Sequence, residues 1–192
     1  RVVSERMAVP TFTTVREAAR AVIARQVREL RRHERVVARK GEPDAIHDMR
    51  VATRRLRAAL TVFRGVVALP KTARRPRLRW LARQLGRVRD LDVRIVLLAE
   101  RYLPAVAGQE AARVDRLIAE CTAERRRAQQ RLRKGLVRPR YRKLRAAFGA
   151  WVRRATFLDG EGAGAARFMA DAVDKAARRV GGHEAMRDPH PT

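Results

Sequence analysis

The sequence predicts an all-α protein built as an antiparallel bundle of long helices. Apolar residues recur at the three- and four-residue spacing of an α-helix along most of the 192 residues. Gly and Pro stand between these amphipathic segments, where helices end. Apolar residues make up 46% of the chain, against 11 Gly and 8 Pro, and this is enough to form a core. Consecutive helices joined by short loops pack as antiparallel neighbours.

Six helices are predicted in chain order. Their expected limits are about 13–39, 44–67, 78–101, 109–134, 141–154 and 165–180. Gly41 and Pro43 end the first helix. Asp44 is expected to cap the second, because a carboxylate can accept hydrogen bonds from the N–H groups of the first turn. Pro70 ends the second helix and Pro104 ends the third.

Each predicted helix carries an apolar side that is expected to face the core. In the first helix this side begins at Phe12, before the cap. The second and fourth helices are expected to bury Met49, Leu56, Leu60, Phe63, Val114, Leu117, Ile118, Cys121, Ala128 and Leu132. The fourth is also expected to be flanked by solvent, since Arg and Glu surround its apolar residues.

The net charge is the strongest functional signal in the composition. The chain has 46 Lys and Arg against 20 Asp and Glu, a formal net charge of +26. This excludes an ordinary acidic enzyme. The preference for Arg over Lys can come from GC-rich codons, but codon usage does not account for the missing acids, and like charges repel one another in a compact state. We therefore expect a polyanionic partner.

A row of cationic groups runs along the second helix. His47, Arg50, Arg54 and Arg57 are spaced by three, four and three residues, so they lie on one side, apart from the apolar residues. Cations one turn apart repel each other unless an anion lies along them. The spacing alone fits a solvated face of an Arg-rich helix equally well.

The third helix repeats this design. Arg79, Arg83, Arg87 and Arg94 lie on one side of it, with Asp90 among them. Asp92 falls at the margin of the apolar side, where an unpaired carboxylate would be unfavourable. We expect both acids to be structural, and Asp92 to accept hydrogen bonds from a helix neighbour or from an arginine of another helix. A metal is not expected, because no His or second carboxylate stands three or four residues away.

Three segments resemble one known family, the CHAD domains, whose name stands for conserved histidine α-helical domain. They are IHDMRVATRRLRAALTVFR at 46–64, LRWLARQLGRVRDLDV at 78–93 and, more weakly, RYRKLRAAFGAWV at 140–152. The resemblance implies an all-helical protein that binds inorganic polyphosphate in a basic channel between two similar halves. It implies ligand contacts at His47, Arg50, Arg54, Arg55, Arg57, Arg83, Arg87 and Arg89. Arg79 joins them by its position on the third helix, and Arg142 and Lys143 would extend the groove.

The resemblance also suggests a domain organisation. A helical domain would cover 1–182, with a first bundle at about 12–137 and the start of a second half at about 138–182. Residues 183–192 contain two prolines and are expected to be a flexible or truncated tail. Because a typical member is longer, we expect part of the second half to be missing, or a second copy in a homodimer to complete the groove.

Two other functions stay open. Sequence-indifferent nucleic-acid binding would use the same cations, but aromatic residues are only 5% of the chain and fall on apolar sides, whereas single-strand binders stack bases on exposed rings. A basic adaptor bundle for an acidic protein is the second alternative. No catalytic residue, metal site or cofactor is predicted: the glycines of 159–164 lack the Lys-Ser/Thr of a P-loop, and no nucleophile stands near a His.

The expected location is cytoplasmic. The one cysteine, Cys121, cannot form an internal disulfide, which fits a reducing compartment. No run of eighteen uncharged apolar residues occurs, so we expect a soluble protein without a membrane partner. The family resemblance alone implies a location at polyphosphate granules.

Overall fold

The computed structural model describes residues 14–73, 75–158 and 168. The described residues form five α-helices and no strand. These are α1 (Val15–Arg39), α2 (Pro43–Val62), α3 (Arg75–Leu97), α4 (Gly108–Leu136) and α5 (Pro139–Arg153). A π-helical turn (Leu98–Tyr102) and a short 3-10 turn (Leu103–Ala105) extend α3, and a second 3-10 turn (Lys71–Ala73) precedes it. The all-α prediction is confirmed. The predicted sixth helix lies outside the described residues except for Phe168, and Phe12 and the tail also lie outside them.

Two helix boundaries differ from the predictions because proline fits the first turn of a helix. Asp44 does not cap α2: the N-cap is Glu42, whose side chain makes no capping hydrogen bond, and Pro43 is the first helical residue. Proline is accepted there because the missing N–H has no partner inside the helix anyway. Asp44 instead lies in the first turn, where its negative charge interacts favourably with the helix dipole. For the same reason α3 starts at Arg75, with Pro76 inside its first turn.

The second helix ends five residues earlier than expected. After Val62 the chain turns, and the N–H groups of Val66 and Val67 both donate to the carbonyl of Phe63. Val67 then forms an isolated antiparallel bridge with Phe157. This segment is therefore drawn away from the helix by hydrogen bonds to the chain that follows α5.

The helices form a four-cornered bundle. α1 packs along α2, α2 along α3, and α3 along α4, while α1 and α3 lie on the diagonal. The pairs Asp92–Arg125 and Trp80–Gly135 show that α4 runs antiparallel to α3. α5 follows α4 in the fourth corner and packs on α1 and α3. The core between them includes Ile23, Ile46, Leu56, Leu78, Leu85, Leu132 and Tyr141, each at most 1% exposed.

The far end of the α3–α4 hairpin projects beyond this core. Arg125, which pairs with Asp92, also donates to the carbonyl of Gly41 in the turn where α1 ends and α2 begins, so neither helix extends beyond this level. Beyond it, apolar side chains of the hairpin are exposed, among them Val93, Val96, Leu97, Tyr102 and Leu117. The expectation that Leu117 is buried is wrong, because no helix of the described residues covers α4 there.

Contacts between α1 and α5 hold the fourth corner. Arg145 forms an ion pair with Glu34 at 3.1 Å, and Arg31 donates to the carbonyl of Arg145 at 3.2 Å. Gly149 permits this approach, because a Cβ at that position would stand 2.1 Å from Nη2 of Arg31. Burial, and then the negative charge of Glu34, raise the pKa of Tyr141 far above its usual value. Arg145 and Arg31 lower the same pKa by a smaller amount.

Candidate functional site

The cationic row predicted on α2 lies on a side of the helix that the core does not use. Met49, Leu56 and Leu60 are buried against the neighbouring helices. The hydroxyl of Thr53, also buried, donates to the carbonyl of Met49 and so needs no partner from another helix. His47, Arg54 and Arg57 are exposed, whereas Arg50 is half-buried. The buried apolar side therefore fixes the direction in which the cations point.

Arg50 is half-buried because it lies over a glycine of α3. A Cβ built on Gly86 would have the Nε of Arg50 as its nearest neighbour, at 4.0 Å. Arg57 follows Arg50 by seven residues on α2, and Arg79 precedes Gly86 by seven residues on α3. These two arginines line the same cavity. Because helices rise about 1.5 Å per residue, these two contacts describe one antiparallel register. In that register the row on α2 runs beside the basic side of α3.

Three arginines converge on a cavity between α2 and α3. It has a volume of about 310 Å³, and Arg54, Arg57 and Arg79 are the charged residues of its lining. The rest of its lining is Ala58, Leu60, Thr61 and Leu78. Guanidinium groups stay charged at all physiological pH values and bind phosphate or carboxylate oxygens through two parallel N–H bonds. The cavity is thus suited to an anion with several oxygens.

The other basic residues of α3 continue this surface. Arg83 and Arg87 are exposed on the outward ridge of α3, and Arg89, three residues after Gly86, is half-buried. We define the α2–α3 face by the residues that these two helices contribute, and use the name in that sense below. They are His47, Arg50, Arg54, Arg57, Arg79, Arg83, Arg87 and Arg89.

No described ion pair includes a residue of the α2–α3 face. Two acids of the same helices approach cations outside this face, and a third, Asp90, lies on the basic side of α3. Asp48 approaches His33 of α1 at 3.7 Å, on the far side of α2. Asp92 is buried and pairs with Arg125 of α4, and Asp90 is exposed on α3. The fold therefore separates the cations from the carboxylates of Asp48 and Asp92, and no described ion pair joins Asp90 to them.

Three other predicted site residues lie apart from this face. Arg55 follows Asp48 by seven residues, or two turns, and so lies on the side of α2 that faces α1. Arg142 precedes Arg145 by three residues, on the side of α5 that faces α1, and is exposed. Lys143 is exposed one turn after Arg140. No contact among the described residues joins these three cations to the cavity.

A partly buried hydrogen-bond network positions the start of α2. Arg125 donates through Nε to Asp92, through Nη1 to Gln129 at 2.7 Å and through Nη2 to the carbonyl of Gly41 at 3.0 Å. Gln129 in turn donates to the carbonyl of Lys40 at 2.8 Å. Asp92 was expected to accept from a helix neighbour or from an arginine of another helix, and its partner is Arg125 of α4. The network ties the α1–α2 turn, and hence the row that follows it, to α3 and α4.

Sequence reasoning missed the cations around Trp80. The guanidinium of Arg140 lies 5.8 Å from the centre of the Trp80 ring. Gly135 of α4 is in contact with the same ring, since a Cβ there would stand 2.8 Å from it. Gly135 inside a strongly helical segment was the one signal of a close approach. The partner of that approach depends on the tertiary fold and cannot be found from spacing.

The described residues contain no group of three or more His, Cys, Asp or Glu that could hold a metal ion. None of the described helices combines the length and the apolar character that crossing a membrane requires.

Comparisons with known proteins agree with the resemblance found in the sequence. The family model of the CHAD domain matches residues 21–191. The crystal structure of the CHAD domain from the plant Ricinus communis is 27% identical, with a TM-score of 0.75 over 97% of this chain and 61% of that one. PptA from Streptomyces chartreusis is 19% identical, with a TM-score of 0.70 over 94% of this chain and 62% of that one, a likeness of fold alone. The chain thus spans about three fifths of these two structures. No functionally curated protein matches it.

Proposed function

The chain belongs to the CHAD domain family, and from this premise we propose that it binds inorganic polyphosphate through the α2–α3 face without turning the polymer over. The family is associated with polyphosphate binding. A polyphosphate chain is flexible and carries negative charge along its whole length. Many individually weak charge contacts along two adjacent helices therefore add up on one polymer.

The observation that carries the proposal is the cavity of Arg54, Arg57 and Arg79. Three arginines line a cavity of about 310 Å³, and no described ion pair includes any of them. Like charges at this spacing repel each other. An anion in the cavity offsets this repulsion and accepts charge-assisted hydrogen bonds from the arginines. Arg50, held over Gly86, extends the row from the cavity toward the start of α2.

Polyphosphate fits this face better than nucleic acid does. The aromatic residues of α2–α3 and the turn between them are Phe63, which is buried, and Trp80, which is half-buried beneath Arg140. A single-stranded nucleic acid gains much of its affinity from bases stacked on exposed rings. A polymer of phosphate alone needs no such ring, and arginines are sufficient to bind it.

We propose that the binding is non-catalytic and serves to bring the protein to polyphosphate deposits in the cytoplasm. Cleavage of a phosphoanhydride requires a positioned nucleophile and, in the common mechanisms, metal ions that neutralise the developing charge. The α2–α3 face offers His47 and arginines, which bind and orient phosphate groups. The proposal predicts no release of orthophosphate when the protein is incubated with the polymer.

A charge-matched pair of variants tests the function. Arg50→Ala/Arg54→Ala/Arg57→Ala removes three cations of the face. The control, Arg25→Ala/Arg28→Ala/Arg32→Ala, removes three exposed cations of α1, which lies diagonally opposite α3. Affinity for polyphosphate is measured by titration over several chain lengths and salt concentrations. We expect the face variant to lose about ten- to a hundredfold in affinity and to show a weaker salt dependence. The control should lose less than about threefold.

Two results would contradict the proposal. Equal losses in both variants would mean that net charge alone attracts the polymer. Equal affinity for orthophosphate and long polyphosphate would exclude a surface on which contacts add up along a chain. Duplex and single-stranded DNA are included as competitors, and displacement of polyphosphate by DNA at matched phosphate concentration would favour the nucleic-acid alternative. Circular dichroism checks that all variants keep their helices.

A further inference from the structure

A second cationic region lies outside the α2–α3 face. Residues 125–158, which form the end of α4, all of α5 and the segment after it, contain 13 Arg and Lys and no Asp or Glu. Two of these cations are paired, Arg125 with Asp92 and Arg145 with Glu34. The remaining eleven are exposed, and no described ion pair includes them. Charge is therefore concentrated here without a compensating acid in the same segment.

Part of this region meets α3 at Trp80. The ring of Trp80 fits against Gly135, where α4 has no side chain, and Arg140 of α5 lies over it, 5.8 Å from the ring centre. A guanidinium held on the face of an indole keeps its charge, and its N–H groups at the edge stay available as donors. Trp80 therefore orients Arg140 and does not neutralise it.

Two more exposed cations are close in sequence to the residues that contact Trp80. Arg131 precedes Gly135 by four residues, so it lies one turn away on the side of α4 that faces the ring. Arg138 is at the N-cap of α5, two residues before Arg140. We call Trp80, Arg131, Arg138 and Arg140 the Trp80 corner. The corner adjoins the α2–α3 face, because Trp80 follows Arg79 directly and Arg83 lies one turn further along α3.

We propose that the Trp80 corner is a second phosphate-binding surface, and that a long polyphosphate chain bound at the α2–α3 face crosses the outer ridge of α3 to reach it. This inference rests on the proposed function. Arg79 faces the cavity on the α2 flank of α3, whereas Trp80 faces α4 and α5 on the other flank. Arg83 and Arg87 are exposed on the ridge between the two flanks. The cations thus form a path around α3 from one surface to the other.

The path predicts a dependence on chain length. A helix with its side chains is about 10 Å across, so the two flanks are further apart than the ends of a tripolyphosphate ion. Tripolyphosphate is therefore expected to occupy the cavity, where three arginines converge, without reaching the corner. A long-chain polyphosphate is expected to contact both surfaces and to owe part of its affinity to the corner.

The experiment compares Arg131→Ala/Arg138→Ala/Arg140→Ala with the face variant and the α1 control, each in the full chain. All three substitutions are at exposed positions, so the fold should persist. We expect the corner variant to lose about tenfold in affinity for long-chain polyphosphate and to stay within about twofold for tripolyphosphate. The face variant should lose affinity for both ligands.

The outcomes separate the two proposals. If the face variant loses affinity and the corner variant binds both ligands like the unchanged protein, the proposed role of the Trp80 corner is wrong and the proposed function stands. If neither variant differs from the α1 control, both fail. A second readout is the indole N–H resonance of Trp80, assigned with Trp80→Phe. Long-chain polyphosphate should shift it in the unchanged protein, and an unchanged resonance at saturation would overturn the inference.

Discussion

Arg50 lies across Gly86, with its Nε at 4.0 Å from the place where a Cβ of residue 86 would be. The glycine has no unusual backbone angle that requires it, since the positive φ values of the described residues occur only at Gly41 and Gly108. Its effect is therefore one of space. Gly86 lets the stem of Arg50 lie against α3 while the charged end remains in the cationic row.

Two substitutions at Gly86 should separate stability from binding. Gly86→Ala adds one carbon at an ordinary contact distance and should stabilise the fold by about 1 kcal/mol, because Ala favours a helix interior. Its polyphosphate affinity should not change. Gly86→Leu needs the space of the Arg50 side chain and should lower the affinity about three- to tenfold. Urea unfolding and polyphosphate titration measure the two effects, and a Leu variant that binds normally would show that Arg50 makes no contact with the ligand.

Helix positions could be predicted from the sequence because apolar spacing is a local signal. All five described helices overlap their predicted ranges. Errors arose where a neighbouring element decides the outcome. Leu117 has the spacing of a buried residue but is exposed, because the chain turns from α1 into α2 at Gly41 and neither helix extends further. Pro43 was taken as a break, although a helix accepts proline in its first turn.

In the candidate site too, features of a single helix could be predicted from the sequence, whereas contacts between helices could not. Spacing along α2 was enough to place His47, Arg50 and Arg54 on one side of the helix, since that depends on a single helix. The cavity that joins Arg57 to Arg79 depends on the register between two helices, which spacing does not contain. A family motif that includes every cation of a segment also cannot tell which side of α2 each one faces. The structure places Arg55 on the side toward α1.

Removal of Asp92 should destabilise the fold strongly. The carboxylate is buried with Arg125, whose side chain is 17% exposed, and the guanidinium also holds the α1–α2 turn. Asp92→Ala leaves this charge partly buried without a counterion, and the free energy of unfolding should fall by about 3 kcal/mol. In Asp92→Ala/Arg125→Met the loss should be smaller than the sum of the two single losses. Additive losses in urea unfolding would mean that the two side chains do not act as a pair.

Gly41 and Gly108 form a natural comparison. Both have a positive φ, of 66° and 57°, so alanine is strained at either position by about 1–2 kcal/mol. A Cβ at Gly108 meets nothing within 4 Å, whereas one at Gly41 would stand 1.7 Å from Nε2 of Gln129. Gly41→Ala must therefore also displace Gln129 and its bond to Lys40. It should lower the unfolding free energy by clearly more than Gly108→Ala does, and equal losses would exclude a specific role for the Gln129 contact.

Tyr141 should make stability depend on alkaline pH. Burial and the nearby Glu34 raise the pKa of its hydroxyl, so the folded protein keeps this proton in a range where the unfolded chain releases it. The stabilisation is fully present below the unfolded pKa of about 10 and is lost as the pH rises above that value, by at most about 1.4 kcal/mol per pH unit. Tyr141→Phe removes the ionising group while keeping the ring. Between about pH 9 and 11, the unfolding free energy of the unchanged protein should therefore fall more steeply than that of the variant. Groups that titrate in both proteins cancel in the difference, so parallel curves would show that the Tyr141 hydroxyl ionises as easily in the folded protein as in the unfolded chain.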